Sequence, residues 1–103
     1  MRHFFRTHQT PADVLELGDS FFTRLGLKTL ASDARSRTMQ GVVGAPELPA
    51  RMRLTVKAEG GHYTFVEVET DQMGESRLDR NVKRFFVELH RLDDPRHALQ
   101  AAY

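Results

Sequence analysis

Residues 51–70 alternate in hydropathy on both sides of a glycine pair, and this alternation constrains the fold more than any other feature of the chain. Met52, Leu54, Val56 and Ala58 interleave with Arg51, Arg53, Thr55 and Lys57. After Glu59-Gly60-Gly61, Thr64, Val66 and Val68 fall on one face of a second strand, and Tyr63, Phe65, Glu67 and Glu69 on the other. The segment reads as a β-hairpin with one apolar and one polar face. Slipping the register by one residue would exchange those faces, so the pattern itself tests the loop length. A two-residue Gly60-Gly61 turn sets Leu54 opposite Glu67. A three-residue loop, Glu59 to Gly61, sets Leu54 opposite Val66, Met52 opposite Val68, Arg53 opposite Glu67 and Arg51 opposite Glu69. The three-residue loop is the expectation, with Gly61 supplying the positive φ of its bulge.

Two segments change period from two to about 3.6. Thr10-Pro11-Ala12-Asp13 has the form of an N-cap, a proline at the first helical position and an acid in the first turn. Val14, Leu17, Phe21 and Leu25 follow at helical spacing, with Leu15 and Phe22 widening the stripe. Gly18 lies on the stripe, where it costs about 1 kcal/mol against Ala; close approach of the helix to a sheet would account for it. Gly26 suits a left-handed C-cap, with Leu27 as its hydrophobic contact. The helix is expected over 11–25. A second is expected over about 73–92, opened by Asp71 or Gln72, with Glu75 near its positive end. Its stripe is Leu78, Val82, Phe85, Leu89 and Leu92, with Phe86 beside it. Asp94-Pro95 stops it and starts a short C-terminal turn through Ala102.

The remaining segments are extended or loop. Arg2 to His8 reads as a short strand in which Phe4 and Phe5 face opposite sides, so one of them is buried and the other is not. Residues 28–33 and 37–43 are strand candidates around a polar turn, Asp33 to Ser36. Gly44 to Pro49 is a loop by its glycine and two prolines. The expected fold is therefore one α+β domain over 1–103. It has two layers: an antiparallel sheet of about five strands, and two long helices on one of its faces, in the order β-α-β-β-β-β-α. That order resembles the half-unit of TATA-binding-protein-like domains and, more loosely, a shortened helix-grip fold. The resemblance spans the element order of the whole chain and implies a fold only, with no residue or activity attached.

Composition removes several classes of function. The chain has 103 residues and no cysteine. Disulfides, thiolate metal sites and cysteine nucleophiles are therefore excluded. No apolar run exceeds three residues, so neither a signal segment nor a membrane span is expected, and the default location is cytoplasmic. Net charge is +1, without the basic excess common in nucleic-acid-binding domains.

Motifs for catalysis are missing too. There is no Gly-x-Ser-x-Gly, no His-Glu-x-x-His and no phosphate-binding glycine loop. The histidines His3, His8, His62, His90 and His97 show no ligand spacing and read as surface polar residues, and Asp93-Asp94 reads as a helix stop. No enzyme activity, metal or cofactor is expected. What remains is the sheet face that the helices leave uncovered, carrying Arg51, Arg53, Thr55, Lys57, Tyr63, Phe65, Glu67 and Glu69. Aromatic rings grouped among charges on an open surface mark a contact site. The expected function is a non-enzymatic protein–protein module, a homodimer or an accessory subunit of a larger assembly. Its candidate partner-binding residues are Arg51, Arg53, Lys57, Tyr63, Phe65, Glu67 and Glu69, joined by Phe4 or Phe5 and by Tyr103. Single-stranded nucleic acid is a second candidate partner, because rings interleaved with cations are how stacking platforms work; Arg77, Arg80, Lys83 and Arg84 add to it, cut by Glu75, Asp79 and Glu88. A small ligand held among Phe21, Phe22, Phe85 and Phe86 is the third.

Overall fold

The computed structural model of the chain describes residues 1–43, 48–61, 63–71 and 76–93. The elements are β1 (Arg2–Thr7), α1 (Pro11–Leu25), β2 (Leu27–Ser32), β3 (Ser36–Val43), β4 (Leu48–Glu59), β5 (Tyr63–Thr70) and α2 (Arg77–Asp93). This is the expected order. The five strands form one antiparallel sheet in the spatial order β1-β5-β4-β3-β2. The first strand thus closes on the last, and β4 lies in the middle.

Helix α1 begins and ends as its sequence dictates. The Thr10 hydroxyl accepts from the Asp13 backbone N–H at 3.1 Å, Pro11 occupies the first turn, and Gly26 caps the end at φ 112°. The buried stripe, however, is Val14, Leu15, Gly18 and Phe22; Leu17, Phe21 and Leu25 are only partly buried beside it. The helix is rolled toward the sheet along Gly18, because a Cβ there would lie 2.5 Å from the Leu54 side chain. In α2 the buried residues Leu78, Val82, Phe85 and Leu89 match the expected stripe. Leu92 does not: half of it is exposed. Ser76, rather than Asp71 or Gln72, caps α2, its hydroxyl accepting from the Asp79 backbone N–H at 3.1 Å. Asp71 is engaged elsewhere, accepting from the Arg51 backbone N–H at 3.0 Å. Gln72 and Glu75, the 44–47 segment and the C-terminal turn with Tyr103 lie outside the described residues.

The hairpin loop has the expected length but starts one residue later. Glu59 pairs with Tyr63, which leaves three residues between the strands, and Leu54 faces Val68, Met52 faces Thr70 and Arg53 faces Glu69. Gly60 and Gly61 both have positive φ, so both belong to the loop and Glu59 is released to the ladder. A shift of one residue on each strand keeps the faces as expected and changes only which side chains are neighbours. The loop expected at 44–49 is also shorter, since Leu48 and Pro49 extend β4 against Val43 and Val42.

Both helices pack on the face that carries Met52, Leu54, Val56, Val66 and Val68, making one core with Met39, Phe22 and Phe85. Phe5 points into that layer and stacks on Phe86 at 5.3 Å between ring centroids. Phe4 points the other way and is 55% exposed. Phe21, Phe22, Phe85 and Phe86 pack on one another at 5.1–6.0 Å between centroids, and Phe22 and Phe85 are wholly buried.

Candidate interaction face

The alternation of a β-strand sends every second side chain to the uncovered side of the sheet. On β4 these are Arg51, Arg53 and Lys57, all exposed, with Thr55 half-buried. On β5 they are Tyr63 and Glu69, exposed, and Phe65 and Glu67, half-buried. The structure therefore brings all seven candidate residues onto one surface of two adjacent strands. Strand β1, paired with β5 in the register Phe4↔Glu67 and Arg6↔Phe65, adds Arg2, Phe4 and Arg6. Arg2 and Arg6 escaped the sequence reading. Their signal was their parity with Phe4, but it has meaning only once β1 is known to neighbour β5.

The aromatic part of the face is a pair of stacked contacts. Phe4 lies on Phe65 with ring centroids 5.6 Å apart and planes inclined by 25°. The Arg6 guanidinium sits over the Phe65 ring at 5.2 Å while its Nε donates to Glu59 at 3.1 Å, a cation–π arrangement held by an ion pair. Tyr63 meets the His8 ring at 4.6 Å.

The charges pair differently from the sequence expectation. Glu67 and Glu69 are approached by Arg2, at 3.8 and 3.9 Å, not by β4 arginines. Arg53 lies opposite Glu69, Thr55 opposite Glu67 and Lys57 opposite Phe65. Arg51 has moved out to the end of the sheet, where its backbone exchanges hydrogen bonds with Asp71. Arg51, Arg53 and Lys57 make no side-chain ion pair among the described residues. The face is therefore banded, with the acids Glu67 and Glu69 on β5 beside the cations Arg53 and Lys57 on β4. A depression of about 310 Å³ opens at the Arg51 end, with Thr38, Arg51, Arg53, Glu69 and Asp71 among its lining residues.

Two polar clusters tie β1 to α2 on the covered side. His3 is not a surface residue: its side chain is 14% exposed and its Nε2 lies 2.6 Å from Asp79 Oδ1. Asp79 itself is buried and also accepts from Thr70 Oγ1 at 3.0 Å and from the Ser76 hydroxyl. Burial pushes the Asp79 carboxyl up, but the hydrogen bonds from Ser76, His3 and Thr70 outweigh it and hold the group below the ordinary carboxylate range. An ionised carboxylate only accepts, so His3 Nε2 carries the proton between them. Asp93 is more than a helix stop. Its Oδ1 accepts from Thr7 Oγ1 at 2.6 Å and from the His8 backbone N–H at 3.0 Å. Among the described residues no group of three or more His, Asp or Glu side chains is placed to hold a metal ion, and no helix is long and apolar enough to cross a membrane.

No protein-family model matches the sequence, and no curated protein is significantly similar to it.

Proposed function

We propose that this chain is a non-enzymatic interaction module that associates through its open sheet face, as a homodimer or as an accessory subunit of a larger assembly, with a second copy of itself as the occupant that fits best. The observation that carries the reading is the banding of that face. Arg53 lies beside Glu69, Thr55 beside Glu67 and Lys57 beside Phe65 across the β4–β5 boundary. A two-fold axis parallel to the strands and above that boundary would place each β4 over the partner's β5. The same pairs then recur between chains, which is the self-complementarity a two-fold interface requires. Five strands spaced about 4.8 Å apart, with eight residues of β5 at about 3.4 Å each, give a flat footprint of roughly 650 Å². A stable interface takes about 800 Å² per partner, and long arginine side chains add relief to a flat sheet.

Single-stranded nucleic acid fits this face less well. Stacking platforms offer free ring faces to bases, whereas Phe65 is already engaged by Phe4 and by Arg6.

The test is the molar mass of the native chain by light scattering after gel filtration, with Arg53→Glu, Glu69→Arg and the double exchange as variants. The expected result is a mass near twice 11.8 kDa for the native chain and the double exchange, and monomers for each single variant. A native monomer at every concentration removes the homodimer. Dimers that persist in Arg53→Glu and in a Tyr63→Ser, Phe65→Ser variant remove the face.

A further inference from the structure

The helical side of the molecule, opposite the sheet face, has a groove of its own. It runs between the C-terminal turns of α1 and the N-terminal half of α2, as two adjoining depressions of about 420 and 400 Å³ that share Leu25, Asn81 and Arg84. Its walls carry Arg24 from α1 and Arg77, Arg80 and Arg84 from α2, with one acid, Glu88, in the depression that holds Arg24. Three observations set this cluster apart from an ordinary solvated helix face.

The first is that the described acids interspersed with these arginines already have partners of their own. The sequence intersperses these arginines with Glu75, Asp79 and Glu88, of which Glu75 lies outside the described residues. In the structure Asp79 is buried on the far side of the helix under Ser76, Thr70 and His3, and Glu88, at the edge of the groove, lies 3.6 Å from Arg91. The second is that Arg77, Arg80 and Arg84 make no ion pair among the described residues, although Arg80 and Arg84 are four residues apart, a spacing at which like charges repel along a helix. Cations in the first turns of a helix also oppose its dipole. The third is spacing and shape. Arg77, Arg80 and Arg84 lie on one side of α2 over a rise of about 10 Å, and Asn81 and Leu25 form the floor between them.

We infer that this groove is a binding site for a ligand bearing two or more phosphate groups, held by Arg77, Arg80 and Arg84 with Arg24 across the cleft. Guanidinium forks match phosphate oxygens two at a time, and arginine in place of lysine at all four positions suits that geometry. A span of about 10 Å is longer than a single phosphate and asks for a linear oligophosphate or a phosphodiester strand. The inference does not rest on the sheet face, which lies on the opposite side of the molecule, and either reading can fail alone.

Calorimetric titration of the native chain with tripolyphosphate, and fluorescence anisotropy with a labelled oligothymidylate, test it at about 50 mM and about 300 mM salt. Both probes should bind at low salt and weaken steeply at high salt. The Arg80→Ala, Arg84→Ala variant should weaken both by at least about tenfold, since each loses charge-assisted bonds. Arg51→Ala, Arg53→Ala, on the sheet face, should leave them unchanged. Equal affinity for the two probes assigns a free oligophosphate, and tighter binding of the oligonucleotide assigns a strand. Arg80 and Arg84 are exposed, so circular dichroism of the variant should match the native chain. Absence of binding to either probe at low salt overturns the inference. So does binding that survives the Arg80, Arg84 change or is lost on changing Arg51 and Arg53.

Discussion

Asp79 shows how far one residue's role depends on what surrounds it. On the sequence it is an acid among arginines on an amphipathic helix. In the fold it is the buried acceptor that joins α2, β5 and β1 through Ser76, Thr70 and His3. Its carboxyl loses its proton more readily in the folded than in the unfolded chain, so the unfolded state binds more protons as pH drops toward and below about 4, and stability falls with it. Asp33, lowered by the backbone N–H groups of Arg35 and Ser36 and the Ser36 hydroxyl, titrates in the same direction. Asp79→Asn should cost about 1–3 kcal/mol near neutral pH. It should also flatten, without abolishing, the fall in the urea midpoint between about pH 5 and pH 2. A variant with an unchanged acid limb would show that the Asp79 contacts add nothing to stability.

At the scale of elements, propensity and pattern predicted most of what formed. Thr10-Pro11 and Gly26 bound α1 because caps are local chemistry. The hairpin faces are right because alternation is local too. The register was two positions out in its pairing sum, since hydropathy alone accepts any shift that keeps the faces, and only the positive φ of both Gly60 and Gly61 chooses among them. The roll of α1 onto Gly18 was hidden for a different reason: it depends on Leu54, thirty-six residues away in sequence. Gly41 is the corresponding close approach between β3 and the start of β2. A Cβ there would sit 2.5 Å from the Gly26 carbonyl oxygen and 3.0 Å from Leu27 Cα, and backbone atoms yield little. Gly41→Ala should lower the urea midpoint by the equivalent of about 1–3 kcal/mol. Gly60→Asn, at φ 60° with open space around it, should cost under about 1 kcal/mol. Equal losses at both sites would mean that conformation, not contact, governs Gly41.

For the whole molecule, the decisive arrangement is the strand order β1-β5-β4-β3-β2. It puts Arg2, Phe4 and Arg6 beside Phe65 and Glu67, and so completes one face from two ends of the chain. It also lets Asp93 and Asp79 hold α2 against β1. If the open face pairs with a second copy, dissociation is coupled to unfolding, and the melting temperature should rise with protein concentration for the native chain. It should be flat for Arg53→Glu. A flat curve for both would place the chain among monomers that await a foreign partner.

By itself, the sequence determined the class of fold, the element order, which side of each hairpin strand faces the core, and the group of residues on the open face. All of these follow from interactions between residues close together in the chain, where periodicity and capping act. Only the tertiary structure decided which charges meet. Arg2 takes the acids expected for Arg51 and Arg53, His3 is drawn inside onto Asp79, and among the described residues Arg77, Arg80 and Arg84 form no ion pair. Charge pairing depends on distances of a few ångströms between distant segments, and those distances exist only after the sheet has closed and the helices have settled on it.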